Sequence, residues 1–292
     1  MKITGITIIK NAIINDYPIK EAILSVLPIV DEMIVAVGDS EDETEALIQS
    51  IDSTKIRIVH SVWDKTIRTG GSVLAVETNK AMEHVSADSD WILYIQGDEA
   101  IHEKYHEVVR SSAQKYLNDT KVEGLLFHYL HFYGTYNYVR DGRGWYKVET
   151  RLIRNGLNIS SYKDAQGFRI GNQKIKVALI DAYVYHYGWV KDPKLMKTKQ
   201  KNVAEFWVED DKSLEAFRNT EDEFDYTEAD SVELFNGTHP AVMQDRIARQ
   251  QWDISLDTRK KKMKLKNRLL YVIEKWTGKR LFTFSNHRII RP

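Results

Sequence analysis

The sequence predicts an α/β fold with a mostly parallel, doubly wound sheet in about the first 120 residues. Three observations lead to this prediction. Four short apolar runs have the character of buried strands, helical patterns separate them, and strands and helices alternate along the chain. This alternation is typical of parallel strands joined by helical crossovers that cover both faces of a sheet.

The four strands are predicted where β-branched and apolar residues form continuous runs. Continuous runs, in contrast to alternating ones, indicate strands that are buried on both faces of a sheet. The runs occupy residues 4–9, 33–37, 56–59 and 91–95.

Three helices are predicted between these strands. Apolar side chains recur at helical spacing over residues 19–27, Pro18 suits the first helical turn, and Pro28 ends the pattern. Residues 43–51 and 72–85 give the second and third helices. The predicted order is therefore strand and helix in strict alternation up to the fourth strand.

The second half of the chain has a different pattern, with aromatic strands followed by helices. Asp141-Gly142 is a turn signal between the first two of these strands. We expect added antiparallel strands and C-terminal helices, and a division into a main domain (residues 1–190) and a helical extension packed on it (191–292). The strands are predicted at residues 124–133, 145–153 and 175–187, and the helices at 103–117, 193–208 and 264–276.

Composition excludes several classes of function. The 292 residues include no cysteine, which rules out disulfides, thiolate nucleophiles and zinc-thiolate sites. The 42 basic and 42 acidic residues balance, so the chain as a whole does not indicate a nucleic-acid partner. No apolar run approaches the roughly 20 residues of a membrane span, and the N-terminus lacks a signal-peptide pattern, so we expect a cytoplasmic location.

Charge is segregated toward the C-terminus. Residues 209–230 are strongly acidic, whereas residues 259–268 hold seven basic residues and no acid, directly before an apolar segment at 269–276. The basic and apolar combination is typical of a helix that rests on an anionic membrane surface, here the inner face of the membrane. The alternative is a solvated helix that docks onto the acidic segment.

Two acidic loops follow predicted strands at the edge where ligands bind in open parallel sheets. Gly38-Asp-Ser-Glu-Asp-Glu-Thr44 comes after the second strand, and Gln96-Gly-Asp-Glu99 comes after the fourth. Such loops can hold a divalent cation or hydrogen-bond a ribose. The alternative is that they are solvated turns whose Asp and Ser side chains cap helices.

With these loops in place, the sequence resembles the family 2 glycosyltransferases, which have the GT-A fold. The resemblance covers residues 4 to about 100 closely and residues 145–190 loosely. It depends on several motifs in the right order: Ala36-Val-Gly-Asp-Ser-Glu-Asp-Glu-Thr44, Gly70-Gly71, Thr78-Asn-Lys-Ala81 and Tyr94-Ile-Gln-Gly-Asp-Glu99.

The resemblance implies a nucleoside-diphosphate sugar as donor. Gln96 stands at the first acid of the family's D-x-D motif, and Thr78 stands at a common arginine, so Lys80 or Arg68 is the nearest alternative cation for the diphosphate. Val37 and Gly38 replace the paired acids usual after the second strand. The expected donor-binding residues are Asn11, Gly38, Asp39, Asn79, Lys80, Gln96 and Asp98.

A divalent cation, Mn²⁺ or Mg²⁺, is also implied by the resemblance. Asp98 falls on the metal-binding carboxylate, Glu99 is adjacent to it, and His186 corresponds to the late histidine that many GT-A enzymes bring to the metal or diphosphate. A histidine satisfied within its strand is the alternative for His186. A neutral imidazole would favour Mn²⁺ over Mg²⁺.

The implied reaction displaces a nucleoside diphosphate from the anomeric carbon of a sugar by an acceptor hydroxyl, with inversion. A carboxylate removes the hydroxyl proton. Asp164, between the added strands, is the expected base, and Glu149 is the second candidate. An ordinary loop cap is the alternative for Asp164.

We therefore expect a glycosyltransferase that modifies a glycan or lipid-linked acceptor in surface polysaccharide synthesis. A catalytically silent GT-A-like module that binds a glycan or a partner is the alternative, favoured by the missing first acid at Gln96. A nucleotidyltransferase is a more distant third, because Lys10-Asn-Ala12 is not a glycine-rich phosphate loop.

Overall fold

A computed structural model of the chain describes residues 1–290. All four strands predicted in the first 100 residues are present, and their side chains are almost entirely buried except in the edge strand β3. The strands are β1 (Ile3–Ile9), β2 (Glu32–Val37), β3 (Ile56–His60), β4 (Trp91–Tyr94), β5 (Glu99–Ile101), β6 (Gly124–Arg140), β7 (Val148–Arg154), β8 (Ile159–Tyr162), β9 (Gly167–Ile170), β10 (Gln173–Lys174), β11 (Lys176–Val190), β12 (Val232–Leu234) and β13 (Arg288–Ile289).

The helices also follow the predicted order. The helix expected over residues 193–208 ends at Val203 and continues as a single 3₁₀ turn, Ala204–Phe206. No helix within residues 1–290 has the length and apolar character needed to cross a lipid bilayer. The α-helices are α1 (Ile19–Val26), α2 (Thr44–Gln49), α3 (Ser72–Glu83), α4 (His106–Lys115), α5 (Pro193–Val203), α6 (Asp211–Arg218), α7 (Gln244–Ala248) and α8 (Leu265–Thr277).

The main sheet has the strand order β13-β11-β6-β7-β4-β1-β2-β3. Every neighbouring pair along this order is parallel except at β7, which is antiparallel to both β4 and β6. Strands β5 and β12 add antiparallel pairs to β11 and β6, and β8–β10 form a separate small sheet. The predicted class, a mostly parallel α/β sheet with added antiparallel strands and C-terminal helices, is confirmed.

One strand pairing differs from the prediction. The aromatic strands β6 and β11 pair in parallel, whereas the sequence predicted antiparallel additions in this region. The intervening strands β7–β10 form a crossover long enough to return the chain in the same direction, which a short hairpin cannot do. The C-terminal part contributes β12 and β13 to the main sheet as well as helices, and the domain division at residue 190 stays a prediction.

Helices cover both faces of the sheet. On one face, Ile3 and Val35 pack in a cluster with Ile23 of α1 and Val109 of α4. On the other face, residues of opposite orientation in the same strands pack against α3 and the small sheet. This second cluster includes Ile6, Ile34, Ile92, Val73 and Phe168. Burial of both faces explains why the central strands are continuously apolar.

Candidate functional site

A cavity of about 500 Å³ lies where β1 and β4 end. Lys10 and Asn11 follow β1 and line the cavity, as do Gln96, Gly97 and Asp98, which come after β4. Strands β1 and β4 are parallel, so their carboxyl ends meet at one edge of the sheet. Because ligands of open parallel sheets bind outside this edge, we place the candidate site here.

Aromatic side chains form much of the opposite wall. The rings of Trp63 and Phe206 lie 5.4 Å apart between centroids, and Trp207, 46% exposed, lines the same cavity. The Trp63 Nε1–H is buried and has no hydrogen-bond partner among residues 1–290. Flat aromatic rings suit a nucleobase or a sugar, which present an apolar face and polar edges.

Asp98 follows the end of β4 and lies beside a lysine and a histidine. Its Oδ2 lies 3.2 Å from the Lys199 ammonium, and its Oδ1 lies 3.7 Å from His186 Nε2. Its backbone carbonyl accepts a hydrogen bond from Tyr187 N at 2.7 Å, which ties the turn to β11. Burial raises the pKa of Asp98, but the charge of Lys199 outweighs burial and the pKa is held at about 2. Asp98 is therefore a permanent anion that is paired with an ammonium.

A pair of histidines lies behind Asp98. His131 Nε2 is 2.8 Å from the Tyr146 carbonyl, which can only accept, and His131 Nδ1 is 3.2 Å from His186 Nδ1. Burial lowers the pKa of both histidines, so both are neutral. His131 must then carry its proton on Nε2, His186 must donate from Nδ1, and His186 Nε2 is left as a lone pair toward Asp98.

Glu99 lies next to Asp98 in sequence but in different surroundings. Its two carboxylate oxygens accept hydrogen bonds from Arg151 Nη2 at 2.8 Å and Nε at 2.9 Å. Tyr129 OH donates to the same carboxylate at 2.8 Å, and Gln96 N does so at 3.1 Å. Glu99 and Arg151 are both fully buried. The carboxylate is therefore satisfied by the protein itself and anchors the loop.

The expected metal ligands Asp98, Glu99 and His186 are not brought together as one set. Within residues 1–290, no three His, Asp or Glu side chains converge in a way that could hold a metal ion. Glu99 is bonded to Arg151, and the ammonium of Lys199 already lies against Asp98. These residues do not fit a divalent cation, because a positive charge of the protein already stands at each of the two carboxylates.

The loop after β2 folds against the end of β1. Lys10 Nζ lies 2.7 Å from Asp39 Oδ1, and Asn11 Oδ1 accepts a hydrogen bond from Glu41 N at 2.7 Å. Burial raises the pKa of Asp39, but the hydrogen bond from Lys10 outweighs it and lowers the pKa below its usual value. A Cβ on Gly38 would stand 2.5 Å from Trp63 Nε1, so only glycine allows this approach. The structure thus gathers Asn11, Gly38 and Asp39 near the cavity.

Asn79 and Lys80 lie apart from this cavity. Asn79 Oδ1 accepts a hydrogen bond from Ser161 N at 2.7 Å and so joins α3 to β8. Lys80 Nζ lies 2.7 Å from Glu77 Oε1 and donates to the Val62 carbonyl at 3.2 Å. Neither side chain lines the cavity, although both were expected to bind the donor.

Asp164 lies in the tight turn between β8 and β9. Its neighbours Lys163 and Ala165 have φ of +56° and +58°, so the turn is held in an unusual backbone conformation. Burial raises the pKa of Asp164, whose side chain is close to Gly71 and to the Trp207 ring of the cavity wall. Asp164 is thus a carboxyl group beside the cavity with a greater affinity for protons than usual.

Glu149 is the second expected base and lies on β7. Its side chain is almost fully buried, Oε1 accepts a hydrogen bond from Asn286 Nδ2 at 3.3 Å, and Oε2 has no partner among residues 1–290. Burial raises the pKa of Glu149 to about 7, against the attraction of Arg151. Such a group exchanges its proton near neutral pH.

Sequence reasoning did not identify Lys199, the cation at the centre of the site. Its ammonium also donates to the Gly188 carbonyl at 3.0 Å and lies 4.5 Å from the centroid of the Tyr17 ring. In the sequence it is one of several lysines in a polar helix, and such helices are usually solvated. Lys199 comes three residues after the buried Met196, and residues three apart lie on the same face of a helix. This spacing is the one signal in the sequence that indicated an inward position for Lys199.

Neither a protein-family model nor a curated protein matches the chain. Among solved structures it is similar to S. aureus TarS, with 15% identity and a TM-score of 0.42, over 70% of this chain and 39% of TarS. It is similar to TarS 1-349 in complex with UDP-GlcNAc with the same identity and TM-score, over 75% of this chain and 70% of that one.

A further similar structure is glucosyl-3-phosphoglycerate synthase from Mycobacterium tuberculosis with Mn²⁺, UDP and phosphoglyceric acid. The identity is 20% and the TM-score 0.30, over 44% of this chain and 43% of the synthase. The chain therefore spans about two fifths of the full-length TarS and of this synthase. Because these TM-scores are below 0.5, the function has to be decided from the chain's own residues.

Proposed function

We propose that the chain transfers a sugar from a nucleoside-diphosphate sugar to an acceptor hydroxyl. The observation that carries this proposal is the cavity at the ends of β1 and β4, which a fixed cation lines and beside whose wall residue Trp207 lies Asp164, a carboxyl with a raised pKa. Binding an anionic leaving group and removing a proton from a hydroxyl require these two kinds of group.

Lys199 is proposed as the cation that faces the diphosphate. Its ammonium is fixed by Asp98 and the Gly188 carbonyl, and it lines the cavity. Burial lowers the pKa of Lys199, but Asp98 and the Tyr17 side chain outweigh burial and raise it above the usual value, so the charge persists at neutral pH. A charge fixed before the reaction neutralises a leaving diphosphate without reorganisation.

The nucleoside is proposed to lie in the cavity beside the Trp63 ring, within reach of Asp39. Trp63 N donates to Asp39 Oδ1 at 3.2 Å, which fixes a carboxylate beside an aromatic ring. Ribose hydroxyls would donate to Asp39, and the Gln96 side-chain amide, which donates to Tyr94 OH at 3.3 Å, would accept from a second hydroxyl.

Asp164 is proposed as the base. The acceptor oxygen forms a bond to the anomeric carbon, the bond from that carbon to the diphosphate oxygen breaks, and the acceptor proton passes to the Asp164 carboxylate. One base on the face opposite the leaving group gives inversion. A glycan or lipid-linked hydroxyl is the proposed acceptor, as in surface polysaccharide synthesis.

Calorimetric titration with a panel of nucleoside diphosphates tests the donor site. In excess chelator we expect the wild-type protein to bind at least one nucleotide, because Lys199 supplies the positive charge. Lys199→Met should weaken this binding about 10- to 100-fold, the effect of losing a charged hydrogen bond. Lys199→Arg should retain most of it.

Lys194→Met is the matched control, since Lys194 lies on the same helix with its side chain 72% exposed. Absence of nucleotide binding by the wild-type protein under all conditions would overturn the proposed function. Binding that appears only with Mn²⁺ or Mg²⁺ would retain the function and replace Lys199 by a metal. Binding without hydrolysis of any sugar nucleotide would favour the silent module.

A further inference from the structure

An apolar stripe runs along the outer side of α8. Leu265, Leu269, Val272 and Trp276 are 85%, 64%, 57% and 90% exposed, respectively. Their spacing of four, three and four residues places them on one face of the helix. Scattered exposed apolar residues are ordinary, but four large ones aligned on one face indicate a surface that binds something.

The opposite side of α8 is attached to the protein by polar contacts. Arg143 Nη1 lies 2.7 Å from Glu274 Oε2 and donates to the Leu270 carbonyl at 3.5 Å, and Tyr271 OH donates to Asp141. Glu274, the only acid of the helix, is therefore turned inward. These contacts fix the helix so that the apolar stripe faces outward.

The basic residues before and within α8 divide into two groups. Lys261 pairs with Asp141 at 3.6 Å, and Lys262 pairs with Glu228 at 2.7 Å. These two lysines therefore help to attach this segment to the rest of the protein. The second group is exposed, and its side chains make no ion pair or hydrogen bond within residues 1–290. This group consists of Lys260, Lys264, Lys266 and Arg268.

We propose that α8 and these four basic residues, which we call the α8 surface, rest on an anionic phospholipid surface. On the helix, Lys266 and Arg268 lie on either side of the stripe, where their long side chains can reach phosphate groups while the stripe enters the acyl boundary. A symmetric dimer through α8 is disfavoured, because it would bring two basic groups of the same sign together.

Co-sedimentation with lipid vesicles tests this proposal. We expect the wild-type protein to bind phosphatidylcholine vesicles that contain phosphatidylglycerol, to bind pure phosphatidylcholine weakly, and to dissociate as salt is added. The triple variant Lys264→Gln/Lys266→Gln/Arg268→Gln should bind about a hundredfold more weakly, at roughly fivefold per charge. Leu269→Glu/Trp276→Glu should abolish binding, and vesicles should shift the tryptophan emission of the wild type to the blue but not that of this variant.

The matched control for charge is Lys65→Gln/Lys121→Gln/Lys212→Gln, which removes three exposed lysines elsewhere and should bind as the wild type does. Melting temperatures of all variants separate loss of binding from misfolding. Equal binding by the wild type and the α8 variants would overturn the proposal. The proposal would also be overturned if the wild-type protein did not bind vesicles but formed dimers, and if Leu269→Glu/Trp276→Glu dissociated those dimers.

Discussion

The carboxyl groups on the two sides of the candidate site differ in whether a cation is paired with them. On the donor side each carboxylate has a cationic partner: Asp98 pairs with Lys199, and Asp39 pairs with Lys10. On the other side, Asp164 makes no ion pair within residues 1–290, and the same holds for Glu149 in that part of the chain. The pKa is lowered on the donor side and raised on the other.

This difference separates two chemical tasks. Paired carboxylates keep their charge at all physiological pH values and can only position other groups. Unpaired carboxyls in buried surroundings hold protons more tightly than usual, as suits a group that takes a proton from a hydroxyl. This difference supports the proposal that the paired side binds the donor and that the unpaired side transfers the proton.

The largest expected effect comes from replacing the proposed base. Asp164→Asn should lower turnover about 10²- to 10⁴-fold, the usual contribution of a general base, and leave nucleotide affinity nearly unchanged. Hydrolysis of sugar nucleotides and calorimetric titration measure the two quantities, with water as the acceptor. Normal turnover in this variant would move the assignment to Glu149.

The second prediction concerns the scaffold of the donor side. Arg151→Met leaves Glu99 buried without its cation and should lower the free energy of unfolding by about 3–5 kcal/mol. Arg57→Met removes a partly exposed ion pair with Glu32 and should lower the free energy of unfolding by no more than about 1 kcal/mol. Denaturant titration of both variants checks this, and equal losses would contradict the scaffold role of Arg151.

The third prediction uses the raised pKa of Glu149. Between its ordinary pKa of 4.5 and its folded pKa of about 7, the folded state binds more protons than the unfolded state, so the stability of the wild type falls as pH rises. Relative to Glu149→Gln, the wild type should lose about 3 kcal/mol of unfolding free energy between these two pH values. A stability difference that does not vary with pH would show that Glu149 ionises normally.

The smallest effect is expected at the junction of the two sides. Gly70 and Gly71 both have positive φ, but only a Cβ on Gly71 would meet Trp207, at 2.7 Å. Each alanine substitution should cost about 1–2 kcal/mol of stability through backbone strain. Gly71→Ala should in addition weaken nucleotide binding severalfold by displacing Trp207. Gly70→Ala is the control, because the difference in nucleotide affinity between the two variants, measured by calorimetry, is the effect of displacing Trp207. Equal affinities in the two variants would remove Trp207 from the donor site.

The sequence indicated the sheet edge that holds the cavity, because strand order determines where the carboxyl ends of parallel strands meet. Asp39 and Asp98 each follow a buried strand, and parallel pairing to β1 brings both strand ends to one edge. The same reasoning failed to place Asn79 and Lys80, which lie one helical turn or more inside α3, since helix orientation depends on packing. The roles expected for Asp98, Asp164 and the other site residues stay predictions until the variants above are measured.

By itself, the sequence determined the alternation of strands and helices, the mostly parallel sheet and the edge at which polar loops meet, because these follow from local periodicity. Only the tertiary structure decided the partners of each charge. Asp98 and Glu99 are neighbours in the chain, yet one lies against Lys199 and the other against Arg151, which come from distant elements. The pKa of a buried carboxyl depends on such long-range partners, and no local pattern encodes them.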